Sequence, residues 1–246
     1  MTSIAAEQTM KSPVIVEAKP HRWATSAPAR LFRRLGRPWF VSRNVGKFCR
    51  PLVVEGVEHL ESLSGPVLIT PNHVSHFDPV IVLSTLPQHI FDRTAIVAAA
   101  DRHYNAKKWK AAWHSLRFNT FPITRGGGRA ALEYSQELVR KGWSLLIFPE
   151  GRRSRTAEQL PFHPGPAILA ISQRIPVVPI HIAGAINILP AGERFARPAP
   201  VRVRLGAPIW FAEGTSISDA TAQMEEAVRS LAGMDARRIE EMVLVA

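Results

Sequence analysis

The sequence predicts an α/β fold, a mainly parallel or mixed sheet flanked by helices, with a basic amphipathic segment at the N-terminal end. Short apolar runs alternate with longer amphipathic stretches, as in chains where strands and covering helices follow one another. The chain has 246 residues, of which 46% are hydrophobic, enough for one sizeable core. The charge is uneven: of a formal +11, residues 1–50 hold +8, from ten Lys/Arg against two Glu.

Residues 1–28 carry scattered charge, three prolines and no sustained periodicity, and are expected to be a mobile tail. From 29 to 54, Leu31, Phe32, Leu35, Trp39, Phe40, Val45 and Phe48 are interleaved with Arg30, Arg33, Arg34, Arg37, Arg43, Lys47 and Arg50. A solvated basic helix face fits this stretch. An interfacial helix fits it better, because Trp and Phe opposite Arg suit the head-group boundary of an anionic membrane. The charge also suits nucleic acid, but no zinc-finger spacing or aromatic RNA-binding motif accompanies it, so no nucleic-acid partner is expected. Residues 55–246 form the α/β domain.

Within that domain the expected strands are Pro66 to Thr70, Ala95 to Ala100, Phe121 to Thr124, Trp143 to Phe148, Val177 to Ala183 and Val201 to Leu205. The expected helices are Pro79 to Leu86, Ala106 to Leu116, Arg129 to Arg140, Ala167 to Arg174, and 217–232 with an extension towards 243. The longest uncharged stretch, Ile175 to Gly192, contains Pro176, Pro179, His181, Asn187 and Pro190, so no membrane-spanning helix is expected. A single cysteine, Cys49, excludes an intramolecular disulfide. Residues 1–20 lack the apolar core of a signal peptide, and a reducing, cytoplasmic setting is expected.

The stretch PNHVSHFDP places His73, His76 and Asp78 directly after a buried strand. His73 and Asp78 are five apart, so a continuous helix would not put them on one face and a turn must lie between them. Asp78-Pro79 resembles a helix cap followed by proline, giving strand, tight loop and helix start, the place where α/β folds carry ligands. Three readings follow: Asp78 simply caps the helix, the two histidines and Asp78 bind a metal, or His73 and Asp78 form an acid–base pair. Ser75 lacks the surroundings of a nucleophilic serine.

The blocks NHVSHFD, FPITR, FPEGRRSR and IPVVPI occur in that order between His73 and Ile180. Together they resemble the glycerolipid acyltransferase family, which includes bacterial 1-acyl-glycerol-3-phosphate acyltransferases. The resemblance implies that residues 55–246 are an acyltransferase domain and that His73 and Asp78 are catalytic, with His73 as general base and Asp78 orienting it. It places Arg125, Glu150, Gly151, Arg152 and Arg153 in the substrate site, with Arg125 and Arg153 at the acceptor phosphate, and makes Pro176 and Pro179 a wall. Two departures stand out: Asn119 and Thr120 lie where a glycine is often found, and Arg152 replaces the usual Thr. The glycines 126–128 before a helix could also meet an anion.

The implied reaction is acyl transfer to a lysophospholipid, giving phosphatidic acid, with glycerol 3-phosphate or another lysolipid as alternative acceptor. The implied donor is acyl-coenzyme A or acyl carrier protein; Lys107, Lys108 and Lys110 could meet its phosphates or an acidic carrier, though a solvated helix face explains them better. No cofactor or metal is expected. The implied place of work is the cytoplasmic face of the membrane, as a peripheral protein. A non-catalytic basic membrane- or RNA-binding module is the rival from another class.

Overall fold

The computed structural model describes residues 19–99, 108–123, 129–189, 193 and 195–244. Seven strands form one sheet: β1 (Cys49–Glu55), β2 (Leu68–Pro71), β3 (Thr94–Ala99), β4 (Thr120–Ile123), β5 (Ser144–Leu146), β6 (Val177–Ala183) and β7 (Ala199–Leu205), in the order β1-β7-β6-β2-β5-β3-β4. All neighbours are parallel except β6 and β7. The helices are α1 (Ala27–Arg37), α2 (Arg43–Phe48), α3 (Glu58–Glu61), α4 (Asp78–Thr85), α5 (Gln88–Phe91), α6 (Lys108–Phe118), α7 (Arg129–Arg140), α8 (Gly165–Gln173) and α9 (Ile217–Leu244), with a π-helical turn at Pro38–Ser42 joining α1 to α2.

Alternate residues of the central strands point to opposite faces, and both faces are buried. Ile69, Leu146 and Val178 pack on one side with Val41, Val45, Ile81 and Val82, under α2 and α4. Leu68, Leu145 and Val177 pack on the other with Tyr134, Leu138, Leu169, Met224 and Val228, under α7, α8 and α9. This double covering explains the near-continuous apolar character of the central strands.

The N-terminal expectations change in three ways. Residues 22–28 are held against the domain: Arg22 makes a bidentate bond to Glu137 on α7 at 2.7 and 2.9 Å, and His21 Nδ1 lies 3.0 Å from Ser115 Oγ on α6. Residues 1–18 of the expected tail lie outside the described residues. The amphipathic segment does not run to 54, because Cys49–Glu55 pairs in parallel with β7 as an edge strand, where Arg50 and Glu55 are tolerated. Third, two arginines of the segment face inward. Arg33 is 5% exposed and donates to the carbonyls of Ala24 (2.7 Å) and Leu116 (3.3 Å). Burial pushes the Arg33 guanidinium down to about 10.

Arg37 donates to the carbonyls of Leu83, Ser84 and Leu86 at 3.2, 3.3 and 2.7 Å and stacks over Phe91. It thereby satisfies carbonyls that the end of α4 leaves open. The outward face of α1 and the π turn carries Leu31, Leu35 and Trp39 at four-residue spacing, 55%, 68% and 66% exposed. Phe32, Phe40 and Trp113 form an aromatic cluster beside it, joining α6 to this face. Among the described residues no helix is long and apolar enough to cross a membrane.

Candidate active site

β2 lies between β5 and β6. Its carboxyl end delivers Asn72 and His73, and the parallel β5 delivers the loop from Ile147 onward at the same edge of the sheet. Asn72 is buried and its amide reproduces a strand pair: Oδ1 accepts from Ile182 N–H at 2.7 Å and Nδ2 donates to the Ile182 carbonyl at 3.1 Å. The chain leaves β2 in a fixed direction as a result.

The turn from His73 to Asp78 is organised by one carboxylate oxygen. Asp78 Oδ2 accepts from His73 Nδ1 at 2.8 Å and from the N–H groups of Val74 and Ser75 at 2.7 Å each. Asp78 is the first residue of α4, not its cap, and Pro79 follows within the first turn. Its side chain turns back to the preceding loop, where it binds the imidazole and stabilises the turn at once. Asp78 is fully buried, whereas the His73 side chain keeps 19% exposure. With Nδ1–H engaged by the carboxylate, Nε2 retains the lone pair needed to accept a proton. The Phe148 ring lies 4.1 Å from the imidazole, centroid to centroid, and packs against it.

Burial also pushes the nearby Cys49 thiol up to about 11, with Asp78 adding to the effect. Cys49 is therefore an inert, protonated core residue at neutral pH. Among the described residues no group of three His, Cys, Asp or Glu side chains is arranged to hold a metal ion. His76 is exposed, while His73 and Asp78 are committed to each other.

The FPEGRRSR loop is bound to His73 through the main chain. Ser154 N–H donates to the His73 carbonyl at 2.7 Å, and Glu150 Oε1 accepts from the His73 N–H at 2.9 Å. The other Glu150 oxygen accepts from Leu160 N–H at 3.3 Å. Glu150 was expected in the acceptor site, yet it is 2% exposed with both oxygens turned to backbone donors, so its carboxylate faces the interior of the loop. Gly151 takes φ +67°, and a Cβ there would lie 2.9 Å from the His163 ring, which explains glycine at this point. Arg152 is exposed and Arg153 half-buried, both immediately beyond that turn. Arg125 and the glycines 126–128 lie outside the described residues, as does Lys107.

The grip of Glu150 on His73 spans 77 residues, and no local pattern announces it. The same holds for the stacking of Phe148. A buried carboxylate immediately after a strand was the one available signal.

A His–Asp pair at a parallel strand end, with an arginine-bearing loop beside it, is an arrangement capable of acid–base chemistry in an α/β fold. The family description Acyltransferase matches residues 51–183, and the chain belongs to that family. It is 30% identical over 171 residues to a chloroplastic 1-acyl-sn-glycerol-3-phosphate acyltransferase of Brassica napus, a match covering 68% of this chain and 47% of that protein. It is 26% identical over 180 residues to the alpha 1-acyl-sn-glycerol-3-phosphate acyltransferase of Mus musculus, covering 72% and 61%. The chain thus spans about half the length of the plant relative. The crystal structure of the 1-acyl-sn-glycerophosphate acyltransferase of Thermotoga maritima shares the fold, with a TM-score of 0.59 and 21% identity over 82% of this chain and 76% of that one.

Proposed function

We propose that the protein transfers an acyl group from a thioester to the free hydroxyl of 1-acyl-glycerol 3-phosphate, giving phosphatidic acid. The observation that carries this reading is the 2.8 Å bond between His73 Nδ1 and the buried Asp78 carboxylate, in a chain of the acyltransferase family. His73 Nε2 takes the hydroxyl proton as the oxygen attacks the thioester carbonyl. Asp78 stabilises the imidazolium that forms. When the tetrahedral intermediate collapses, the C–S bond breaks and the imidazolium returns the proton to the departing thiolate. No acyl-enzyme is needed, and a base positioned in this way contributes roughly 10²- to 10⁴-fold.

Arg153 and Arg125 receive the acceptor phosphate, and the turn at Gly151 brings the arginine loop up to it. Arg152 adds a second cation at the loop. The donor is acyl-coenzyme A or acyl carrier protein. The protein works as a peripheral enzyme at the cytoplasmic membrane face. Support for membrane capture comes from the outward row Leu31, Leu35 and Trp39, set on a helix whose Arg33 and Arg37 are turned into the protein. A solvated helix would present the reverse arrangement.

The test is to incubate the full chain with labelled acyl-coenzyme A and a panel of glycerol 3-phosphate and lysolipids. Label is expected in phosphatidic acid, and His73→Ala should lose at least a hundredfold in rate. Label in no lipid, or an undiminished rate in His73→Ala, would overturn the assignment.

A further inference from the structure

Glu150 is among the larger side chains withdrawn completely from solvent, and burial pushes its carboxyl up to about 7 despite the bonds it accepts from His73 and Leu160. Those two N–H groups face both oxygens, so nothing in the arrangement offers the carboxylate to a ligand. On the other side of the same residue, the His73 carbonyl is held by Ser154 N–H. The loop therefore fixes the base at its main chain, while Phe148 and Asp78 fix its ring. A reacting group displaced by about 1 Å can lose on the order of a hundredfold in rate, which makes such fixing consequential.

We infer that Glu150 is a positioning residue that holds His73 for proton transfer through the His73 backbone N–H, and that it is not a contact of the acceptor. The inference rests on the transfer reaction proposed above. The ionised carboxylate is the form that works, because a protonated carboxyl would direct its O–H at one of the two N–H donors. The groups around it are His73 beyond β2, Asp78 at the head of α4, and Glu225 on α9, which itself accepts from Phe162 N–H at 3.0 Å. His163 lies over Gly151, and Arg152 and Arg153 follow on the same loop. Asp78 and Glu225 both raise the Glu150 carboxyl. Activity should consequently carry the ionisation of Glu150 on its acid side.

The experiment compares the wild type with Glu150→Gln in the full chain, using acyl-coenzyme A and 1-acyl-glycerol 3-phosphate. The variant should lose roughly tenfold or more in kcat with an acceptor KM within about twofold of wild type. The acid limb of its kcat profile should be less steep than that of the wild type, having lost the ionisation of Glu150. A raised acceptor KM at unchanged kcat, or acid limbs of equal steepness, would overturn the role. Hydrogen exchange at the His73 amide supplies a readout that needs no turnover. After correction for intrinsic rate, opening at this amide should increase at least tenfold in Glu150→Ala while the amides of Ile69 and Val178 keep their protection; unchanged exchange at His73, or a loss shared equally by all three amides, refutes the clamp. Absence of acyl transfer by the wild type would instead defeat the proposed reaction, leaving the amide exchange to decide for Glu150.

Discussion

One oxygen of Asp78 accepts the ring N–H of His73 at 2.8 Å while also accepting the N–H groups of Val74 and Ser75. A single carboxylate thus builds the turn and sets the tautomer of the base. Asp78→Asn should leave a folded protein, since the amide oxygen can still accept from the turn. It should lower kcat by roughly 10³- to 10⁴-fold, because the imidazole loses the anion that fixes its tautomer. Circular dichroism and steady-state kinetics check the two halves of this expectation.

Arg153→Ala should raise the KM for a phosphate-bearing acceptor at least tenfold and leave the thioester KM nearly unchanged, since a guanidinium–phosphate contact is a charge-assisted bond. A rise confined to the thioester KM would move Arg153 to the donor side.

Gly151→Ala puts a side chain at φ +67° and against the His163 ring. The left-handed conformation alone costs roughly 1–2 kcal/mol. In a chain of this size that lowers Tm by several degrees, about 2–4 °C per kcal/mol. Differential scanning calorimetry measures it, and a lower acceptor affinity should accompany it.

Glu150 also makes a stability prediction whose sign follows from its raised carboxyl. The folded state favours the protonated form more than the unfolded state does. The associated stability is present below the ordinary carboxylate range and is lost as pH rises through about 7. The difference in Tm between Glu150→Gln and wild type should therefore move in favour of the variant from pH 5 to pH 8. A difference constant with pH would show that the buried carboxyl does not titrate in this range.

Much of the fold could be read locally. The strand Val177–Ala183 and the helix Arg129–Arg140 have the bounds that periodicity predicts, because each is decided by its own residues and its burial. β1 was not expected, since an edge strand carrying Arg50, Pro51 and Glu55 has half its side chains in water and little apolar signal. The ordered residues 22–28 were equally invisible, being tied by Arg22 to a glutamate 115 positions away. The inward turn of Arg33 and Arg37 escaped for a related reason: their partners are carbonyls of other elements, and amphipathic patterning assumes that charges face out. At the site, the spacing of His73 and Asp78 was legible because the turn between them is local. The Glu150 clamp depends on two strands being neighbours and was not.

These contacts also determine how membrane capture is to be tested. Deleting residues 1–50 would remove Val41 and Val45 from the core and the first two residues of β1, so loss of binding there would report on unfolding. Replacing Leu31, Leu35 and Trp39 together by Glu leaves the core intact. It should lower sedimentation with anionic vesicles at least tenfold, given that burial of each large apolar side chain contributes about 1.5–3 kcal/mol. High salt should weaken the wild type only in part, since charges are screened and apolar insertion is not. Equal sedimentation of the triple variant and the wild type would move the contact surface elsewhere on the domain.

Arg37 joins the end of α4 to the helix that carries the exposed row, and α4 begins with Asp78. The two are consequently linked through α4 by the bonds of Arg37. A surface that receives Leu31, Leu35 and Trp39 sets the height of His73 above it. Under the proposed membrane contact, the enzyme would meet its lipid at a built-in depth, and the reach of the reaction into a bilayer would be a dimension of the fold.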